Sequence, residues 1–544
     1  MRRFILLSAA WLVFGTACVA LGLWLRAHVA PEWLALDTTR HPAALRPWMV
    51  EADCYSQMSR VQRILRGQGL IQNHFTVENW PEGLEPSTTA PFDYCILLLY
   101  APLKLFTADA LDWAGALVSP LLWVALVIFW MFFRSREFTR AGRALFLLGS
   151  AALPGFIWAT ACGRPRHQSL ILVLMTLALT AEYERWHLAA IPRKAWSLFA
   201  GVAWGLACWT SLFEPTIVLA VLVLFNAIAR RRESAVFLGS MAVVIAVSFL
   251  VEGPHTLVAS ALLLHPGAEY AAPLHNWLAT VSEIHGMVLS VPQFGKEIVR
   301  MVSLILLPVI GWFLWTRENP NRTDRLLVVL AFLVTGFSIW QGRWTYYANL
   351  AELFLVVRFY QLAPVRWPQL IVLAVFLLGL INVNYFEIKA RIQSPPNQPS
   401  LQLLQVSNAI DAPGGVLAPW WLSPGLLYFS GQPIVTGSSH CGISGIVAGA
   451  QFYSATSWIE AERILQARKV RWVVVSDDPN YEYPLLNISR RILGLPVFND
   501  DDAQEADRSI AQILISDRYV PTWLQLRAVT SQLKLYEYAP AGTP

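Results

Sequence analysis

The first 27 residues, MRRFILLSAAWLVFGTACVALGLWLRA (1–27), decide the fold class. The apolar run from Phe4 to Leu25 is longer than the ~7–15 residues of a signal-peptide core. It matches the ~20 residues that a helix needs to cross a bilayer. Arg2 and Arg3 precede the run, and positive charges favour the cytoplasmic side of a membrane. The stretch therefore predicts an N-terminal membrane anchor with its N-terminus in the cytoplasm.

The composition of the whole chain agrees with this prediction. Of 544 residues, 56% are hydrophobic and only 14% are charged, and 24 are Trp. Soluble domains carry roughly a quarter charged residues, and Trp favours membrane interfaces. The net charge of +5 comes from Lys and Arg in short loops, which indicates membrane topology and no nucleic-acid partner. The six Cys include no CxxC pair, so a metal or disulfide framework is not expected.

Apolar runs recur after the anchor and predict a polytopic α-helical membrane protein with about 11 to 13 transmembrane helices. Residues 91–106, PFDYCILLLYAPLKLF, are interrupted by Lys104 and are expected to be interfacial or partly inserted. The predicted spans are 4–26, 111–133, 144–161, 169–186, 195–212, 215–229, 235–252, 298–315, 326–340, 346–361 and 368–388.

The basic loops give these spans one consistent orientation. With the N-terminus inside, eleven spans place five basic loops on the cytoplasmic side. These loops are 134–143, 184–194, 229–234, 316–325 and 363–367. Residues 27–110, 161–169, 253–297, 341–347 and the C-terminal region are then outside. A multi-pass protein of the cell inner (plasma) membrane is expected.

The chain changes character after residue 390. QSPPNQPS (393–400) is typical of a linker. Beyond it, apolar runs such as AQILIS (511–516) alternate with helical stretches such as SWIEAERILQARK (457–469), and VRWVVVSD (470–477) predicts a buried strand. We expect a transmembrane domain over 1–390, with large outer loops 27–110 and 253–297, and an extracytoplasmic mixed α/β domain over 391–544.

Chemically capable side chains concentrate in the predicted outer loops, where ionisable residues beside a membrane are often functional. Each also has an ordinary explanation. An Asp can cap a helix, an Arg can extend from a helix end towards water, and a single His or Glu can be hydrogen-bonded or solvated. The functional interpretation gains weight because all six belong to one face: Asp53, Arg164, Arg166, His167, Glu283 and Arg343.

Five outer segments have the order and sidedness of motifs in one known family. EADCYSQMSR (51–60) resembles its first acidic motif, with Asp53 at the key position, and WPEGLEPSTTAPFDY (80–94) resembles its PxG…PFD stretch. TVSE (280–283) is similar to its Thr/Ser-Val-Ser-Glu motif, Arg343 to an Arg of a later outer turn, and APWWLSPG (418–425) to the Trp-Trp start of its outer domain. On these motifs the chain resembles the catalytic subunit of oligosaccharyltransferases, GT-C membrane glycosyltransferases that use polyprenyl-linked sugar donors.

The resemblance implies roles for particular residues. Asp53 and Glu283 would be catalytic, and Arg343 would bind the donor phosphate; Arg166 and Arg164 are assigned to the phosphate from their own chemistry, since Arg pairs well with phosphate oxygens. Asp53, Glu283 and His167 would be the ligands of a divalent metal, Mg²⁺ or Mn²⁺. Trp420 and Trp421 would belong to the acceptor region.

The sequence departs from the family pattern at two motifs. In CGRPRHQSL (162–170), Arg166, His167 and Gln168 occupy the positions of the second acidic motif, so Arg166 and Gln168 replace acidic metal ligands. An Arg repels a metal and pairs well with phosphate oxygens. In WWLSP (420–424), Leu422, Ser423 and Pro424 stand at the Asp, Tyr and Gly of the family's Trp-Trp-Asp-Tyr-Gly motif, which holds the acceptor sequon, and Leu422 and Pro424 cannot reproduce its polar contacts.

The implied function is transfer of a sugar or oligosaccharide from a polyprenyl-phosphate or polyprenyl-diphosphate donor to an acceptor on the extracytoplasmic face. The acceptor is a protein, a lipid or a glycan. A non-catalytic protein that binds or transports lipid-linked glycans is a further alternative. Transporters place charged sites near mid-membrane, whereas the charges here concentrate at one face.

Overall fold

The computed structural model describes residues 2–40, 42–72, 74–85, 89–133, 135–186, 193–228, 234–253, 267–281, 302–317, 322–363, 369–378, 399–477, 484–498 and 503–539, together with residues 367, 380 and 389. Helices dominate these residues, and six short strands accompany them. The first ten helices are α1 Arg2–His28, α2 Ala52–Leu65, α3 Pro91–Leu103, α4 Ala110–Phe132, α5 Arg140–Ala152, α6 Pro154–Ala159, α7 His167–Arg185, α8 Lys194–Thr210, α9 Phe213–Ile228 and α10 Ala235–Glu252. Next come α11 Ala271–Leu278, α12 Val302–Thr316, α13 Arg322–Trp340, α14 Thr345–Leu362, α15 Gln369–Leu378 and α16 Pro399–Asn408. The last are α17 Ser423–Ser430, α18 Ile443–Ser454, α19 Trp458–Ala467, α20 Pro484–Ile492, α21 Ala503–Ala506 and α22 Ile510–Ser516. The strands are β1 Leu34–Asp37, β2 Ala44–Pro47, β3 Gly415–Leu417, β4 Val470–Ser476, β5 Leu524–Val529 and β6 Leu533–Tyr538.

The chain divides into two compact units. Unit 1 comprises Met1–Trp33, Trp113–Leu250 and Glu283–Pro395, and unit 2 comprises Leu34–Asp112, Val251–Ser282 and Pro396–Pro544. Unit 1 contains nearly all the apolar helices, and unit 2 contains all six strands.

Ten of the eleven predicted spans coincide with helices α1, α4, α7 to α10 and α12 to α15. Among the described residues, four helices are long and apolar enough to cross a bilayer: Ser8–His28, Ala110–Phe132, Ala235–Glu252 and Arg322–Trp340. Shorter apolar helices include Pro91–Leu103 and Phe213–Ile228. The N-terminal anchor is thus a continuous helix, as the opening stretch predicts.

The predicted span 144–161 is wrong, because two helices cover it. Pro154 begins α6, and Leu153 before it is extended (φ −68°, ψ 130°). A proline disfavours the helical conformation in the residue that precedes it. The apolar composition of the segment hides this break in the sequence.

Side chains from two other helices of unit 1 form hydrogen bonds with backbone groups on either side of the break. The fully buried Arg26 donates to the carbonyl oxygens of Ser150 (3.1 Å) and Ala151 (3.2 Å) in the last turn of α5. Asn349 Oδ1 accepts from the backbone N–H of Gly155 at 2.8 Å. Backbone groups shielded from water need such partners, and a cation at a helix C-terminus is favourable. Arg26 and Asn349 therefore stabilise the broken helix.

Unit 1 has two polar clusters at opposite ends of its helices. At the end of α14, Arg358 pairs with Asp324 (2.8 Å) and Glu137 (3.2 Å), and Tyr183 at the end of α7 donates to Asp324. At the start of α14, Tyr346 accepts from Arg164. Twelve residues of helix separate Tyr346 from Arg358, about 18 Å at 1.5 Å per residue. The structure thus groups these loops as the predicted topology does, and which end faces the cytoplasm stays a prediction.

A four-stranded sheet forms the centre of the C-terminal part of unit 2. Its order is β3-β4-β6-β5, with β3 parallel to β4 and the other pairs antiparallel. Along β4, Trp472 and Val474 enter one core cluster, while Val473 and Val475 enter another. Side chains of a strand alternate between faces, so this strand is buried on both, as VRWVVVSD predicts. AQILIS is instead helix α22, whose N-cap Ser509 accepts from the N–H of Gln512.

The segment after α2 packs on the same unit. Phe75 and Leu84 enter the core cluster that contains Trp472. Ile434 donates its N–H to the carbonyl of Val77 at 2.7 Å, and Trp80 donates its N–H to the carbonyl of Ile434 at 3.0 Å. The proline-containing segment of the first predicted outer loop is therefore an integral part of unit 2.

Candidate functional site

Asp53 lies in the first turn of α2, and its side chain is exposed. The N-cap position belongs to Glu51, so the helix-capping explanation for Asp53 is wrong. A carboxylate in the first turn is favoured in its ionised form by the helix dipole. Asp53 is thus an exposed carboxylate on α2, and its role as a general base stays a prediction.

The buried face of α2 fixes its position in unit 2. The Tyr55 ring lies 5.6 Å from the Tyr428 ring and 5.3 Å from the Phe429 ring, both on α17. Helix α17 begins two residues after Trp421. The helix that carries Asp53 therefore packs on the helix that follows the predicted acceptor motif.

A second carboxylate, Glu78, is buried beside α2. Ser56 Oγ donates to Glu78 Oε1 at 2.7 Å. Burial raises the pKa of Glu78 to about 7, although the Ser56 hydrogen bond and the charges of Arg60 and Arg63 oppose this rise, and the charge of Asp53 adds to it. The sequence offers no periodic signal for Glu78, which sits in an irregular segment.

The pKa of Glu78 makes the stability of unit 2 depend on pH. Glu78 in the unfolded chain ionises near 4.5, whereas in the folded protein it stays protonated up to about 7. The folded state binds more protons in this window, so the free energy of unfolding falls as pH rises from 4.5 to 7. Glu78→Gln is expected to remove this loss, so that the variant melts at a higher temperature than the wild type at pH 8 but not at pH 5.

A neighbouring carboxylate provides the control for this melting experiment. Hydrogen bonds from Ser444 and the charge of Arg468 lower the pKa of Glu82, despite partial burial. Glu82→Gln should therefore not raise the melting temperature at pH 8. Parallel pH dependence of the wild type and Glu78→Gln would contradict the assignment to Glu78.

Asp93, at the end of the PFD motif, has a structural role. It accepts from Arg60 Nη2 at 2.5 Å and Nε at 3.1 Å, and also from Gln57, and all three side chains are buried. A buried carboxylate requires such a partner. The pair joins α3 to α2.

The predicted acceptor-region residues, Trp420 and Trp421, lie just before α17. The Trp420 ring is 5.7 Å from the rings of Trp421 and Trp277, both perpendicular to it. Trp420 and Val281 pack against the same core cluster. Val281 of the TVSE motif thus shares a core cluster with Trp420 within unit 2, whereas Ser282 and Glu283 lie outside the described residues.

The two substituted positions of the acceptor motif are occupied by packing residues. Leu422 belongs to a core cluster, and Pro424 lies in the first turn of α17. Ser423 Oγ is buried and lies 2.5 Å from Thr436 Oγ1. This segment therefore uses its side chains internally rather than for polar contacts to a peptide.

The loop before α7 carries three of the predicted site residues. Arg164 is buried and donates to the carbonyl of Trp158 at 2.8 Å and to the Tyr346 hydroxyl at 3.2 Å. Arg166, also buried, occupies the N-cap position of α7, and His167 is the first helical residue. The start of a helix favours anions, so Arg166 and His167 add charge to an end that already attracts phosphate.

Arg343 lies at the same end of unit 1, paired with a residue that the sequence did not single out. Its Nε donates to Glu214 Oε1 at 2.9 Å, and its Nη2 contacts the same oxygen. Unit 1 thus pairs Arg343 with Glu214 at the start of α9, and Arg164 contacts Tyr346 in the first turn of α14.

Two of the three predicted metal ligands, Asp53 and His167, belong to the described residues. Within the described ranges, no group of three or more His, Cys, Asp or Glu side chains could hold a metal ion. Asp53 belongs to unit 2 and His167 to unit 1. Glu283, the third predicted ligand, lies outside the described residues, so the divalent-metal site stays a prediction.

Comparison with known proteins bears on the fold. No family model matches the chain. The uncharacterized membrane protein YkoS of Bacillus subtilis (strain 168) is 27% identical over 178 residues, which is 29% of this chain and 30% of that protein. The chain therefore matches less than a third of the length of this curated relative.

Solved structures match over most of the chain. The apo oligosaccharyltransferase of Archaeoglobus fulgidus has a TM-score of 0.60 at 12% identity, covering 85% of this chain and 69% of that one. AglB of the same organism, in complex with an inhibitory peptide and a dolichol-phosphate, also has a TM-score of 0.60 at 13% identity, covering 97% of this chain and 75% of that one. The resemblance and the fold class predicted from the sequence are confirmed: the chain is a polytopic α-helical membrane protein with a strand-containing C-terminal region and the GT-C fold of the archaeal oligosaccharyltransferase.

Proposed function

We propose that the protein is a membrane glycosyltransferase that transfers a sugar or oligosaccharide from a polyprenyl-phosphate or polyprenyl-diphosphate donor to an acceptor on the extracytoplasmic face of the inner membrane. The observation that carries the proposal is the cationic end of unit 1, where the buried Arg164 and Arg166 precede α7, Arg164 contacts Tyr346 of α14, and Arg343 pairs with Glu214. This end belongs to a fold shared with the archaeal enzyme.

The reaction would be a displacement at the anomeric carbon. A bond forms from the acceptor atom to C1 while the bond between C1 and the phosphate oxygen breaks. Negative charge develops on the departing lipid phosphate, and fixed cations aimed at that charge lower the barrier. We assign this role to Arg343 and Arg166, with Arg164 and His167 contributing to the positive potential.

Asp53 would take the proton that the acceptor loses. A carboxylate of ordinary exposure is ionised at neutral pH, and Asp53 is exposed on α2. The second predicted catalytic group, Glu283, lies outside the described residues. Its assignment rests on the TVSE motif alone.

The cationic side chains would take the place of a divalent metal. Arg166 and Gln168 stand where the resembled family has acidic ligands. One Arg guanidinium group can bind two phosphate oxygens at once. The negative charge of the donor phosphate can therefore be neutralised without Mg²⁺ or Mn²⁺.

A lipid or a glycan is the second candidate for the acceptor. Leu422 is buried in a core cluster, and Ser423 is hydrogen-bonded internally. These contacts leave no polar sequon reader at the two substituted positions, which favours a hydroxyl acceptor over a peptide Asn.

The proposal is tested by incubating the purified protein with a radiolabelled polyprenyl-linked sugar, a sequon peptide and a lipid extract. Label in the peptide supports protein glycosylation, and label in glycolipid or glycan supports the second candidate. Donor that binds but keeps all of its label would overturn the glycosyltransferase proposal in favour of a non-catalytic binding protein.

A further inference from the structure

Glu214 is a buried carboxylate that the proposed reaction does not use. It lies in the first turn of α9, and its side chain is 1% exposed. Ser211 Oγ donates to Oε2 at 2.9 Å, and Arg343 Nε donates to Oε1 at 2.9 Å. Both carboxylate oxygens therefore have a fixed partner.

The ion pair is asymmetric in its exposure. The Arg343 side chain is 28% exposed, whereas Glu214 is shielded from solvent. The guanidinium carbon also lies 5.2 Å from the Phe213 ring centroid. The carboxylate thus holds the inner edge of the guanidinium and the aromatic ring lies against it, while part of the side chain faces outward.

This arrangement matters for a group that binds phosphate. An Arg side chain has many rotamers, and fixing one before the substrate arrives removes an entropic cost from the reaction. Burial of the acid prevents solvent from loosening the pair. Removal of the acid would leave the positive charge of Arg343 in place but would free its orientation.

We propose that Glu214 is a positioning residue for Arg343, which it holds in the orientation that stabilises the departing phosphate. The inference rests on the proposed function, in which Arg343 binds the donor phosphate. Glu214 touches neither donor nor acceptor in this role. Its contribution appears in kcat rather than in donor affinity.

A local explanation competes with the proposal. Ser211 and Glu214 have the S-x-x-E spacing of a capping box at the start of α9. Gln serves equally well at the last position of such a box. Glu214→Gln therefore keeps the cap and removes only the charge that holds Arg343.

The test measures kcat and the donor KM of purified Glu214→Gln in the radiolabel transfer assay. We expect kcat to fall at least tenfold, with no rise in the KM for the polyprenyl-linked donor. Asp324→Asn is the matched control, because it breaks another buried Arg–carboxylate pair of unit 1, with Arg358 at 2.8 Å. It should lower the melting temperature and leave kcat within about twofold of wild type.

Wild-type kcat in Glu214→Gln would overturn the positioning role and leave the capping box as the explanation. An equal fall of kcat in Asp324→Asn would also overturn it, since the effect would then reflect stability. Absence of transfer by the wild-type protein is a different failure, because it strikes the proposed function itself. A large loss in Arg343→Gln with none in Glu214→Gln would preserve that function and refute only the inference about Glu214.

Discussion

Asp53→Asn is expected to lower kcat for sugar transfer by about 10³-fold, within the range for loss of a general base. Asparagine keeps the size of the side chain and cannot accept the acceptor's proton. Helix α2 should stay folded, because its buried residues pack on α17 and Asp53 is exposed. The measurement is single-turnover release of labelled sugar from the donor, with the melting temperature recorded alongside.

An acidic residue in the first turn of another helix provides the control for the interaction between Asp53 and its helix dipole. Glu460 is exposed in the first turn of α19 in unit 2. Glu460→Gln removes the same favourable interaction with a helix dipole and should leave kcat unchanged. Transfer by Asp53→Asn at the wild-type rate would refute the assignment of Asp53 as the base.

Arg343→Gln is expected to lower kcat/KM for the donor by about 10²-fold or more, the usual loss when a charge-stabilising donor is removed from an active site. Glutamine can still hydrogen-bond to Glu214 but has no charge to offer phosphate. Unlike Glu214→Gln, this variant should also raise the donor KM, because the attraction itself is lost. Steady-state kinetics with varied donor concentration make the comparison.

An exposed Arg at the other end of unit 1 is the control for net charge. Arg140 is exposed at the start of α5. Arg140→Gln changes the net charge of the protein by the same amount and should leave kcat/KM within about twofold of wild type. If both variants lost activity equally, a general electrostatic effect of the protein surface would replace the phosphate site as the explanation.

The sequence predicted the helices of unit 1 well because each forms a long apolar run, and four of those described have the length that a bilayer imposes. Helices α7 and α13 lie close to the predicted spans 169–186 and 326–340. Strand β4, which is buried on both faces, was likewise predicted from its run of apolar residues. Long, strongly patterned segments are the ones that local composition determines.

Interactions between distant residues were the ones that the sequence could not predict. Glu214 and Arg343 are 129 positions apart, and each alone is an ordinary charged residue near a helix end. Glu78 becomes unusual only through burial against Ser56. Pro154 was visible in the sequence. A proline inside an apolar run does not reveal whether distant side chains, here Arg26 and Asn349, form hydrogen bonds with the backbone groups at the ends of a broken helix.

The acceptor motif shows a related limit. The departures at Leu422 and Pro424 were evident from the sequence; in the structure Leu422 packs in a core cluster and Pro424 lies in the first turn of α17. The sequence alone supports two explanations equally: that contacts to a peptide acceptor are lost, or that the acceptor is a different molecule. The internal hydrogen bonds of Ser423 favour a different acceptor, which the radiolabel assay distinguishes.

The most direct measurement is sugar transfer by purified wild-type protein in excess EDTA, followed by addition of Mn²⁺ or Mg²⁺. If Arg166 and Arg343 neutralise the departing phosphate, we predict that transfer in EDTA proceeds within about twofold of the rate in Mg²⁺ and is lost in Arg343→Gln. Transfer that stops in EDTA and returns with Mn²⁺ or Mg²⁺ would contradict the role assigned to these arginines.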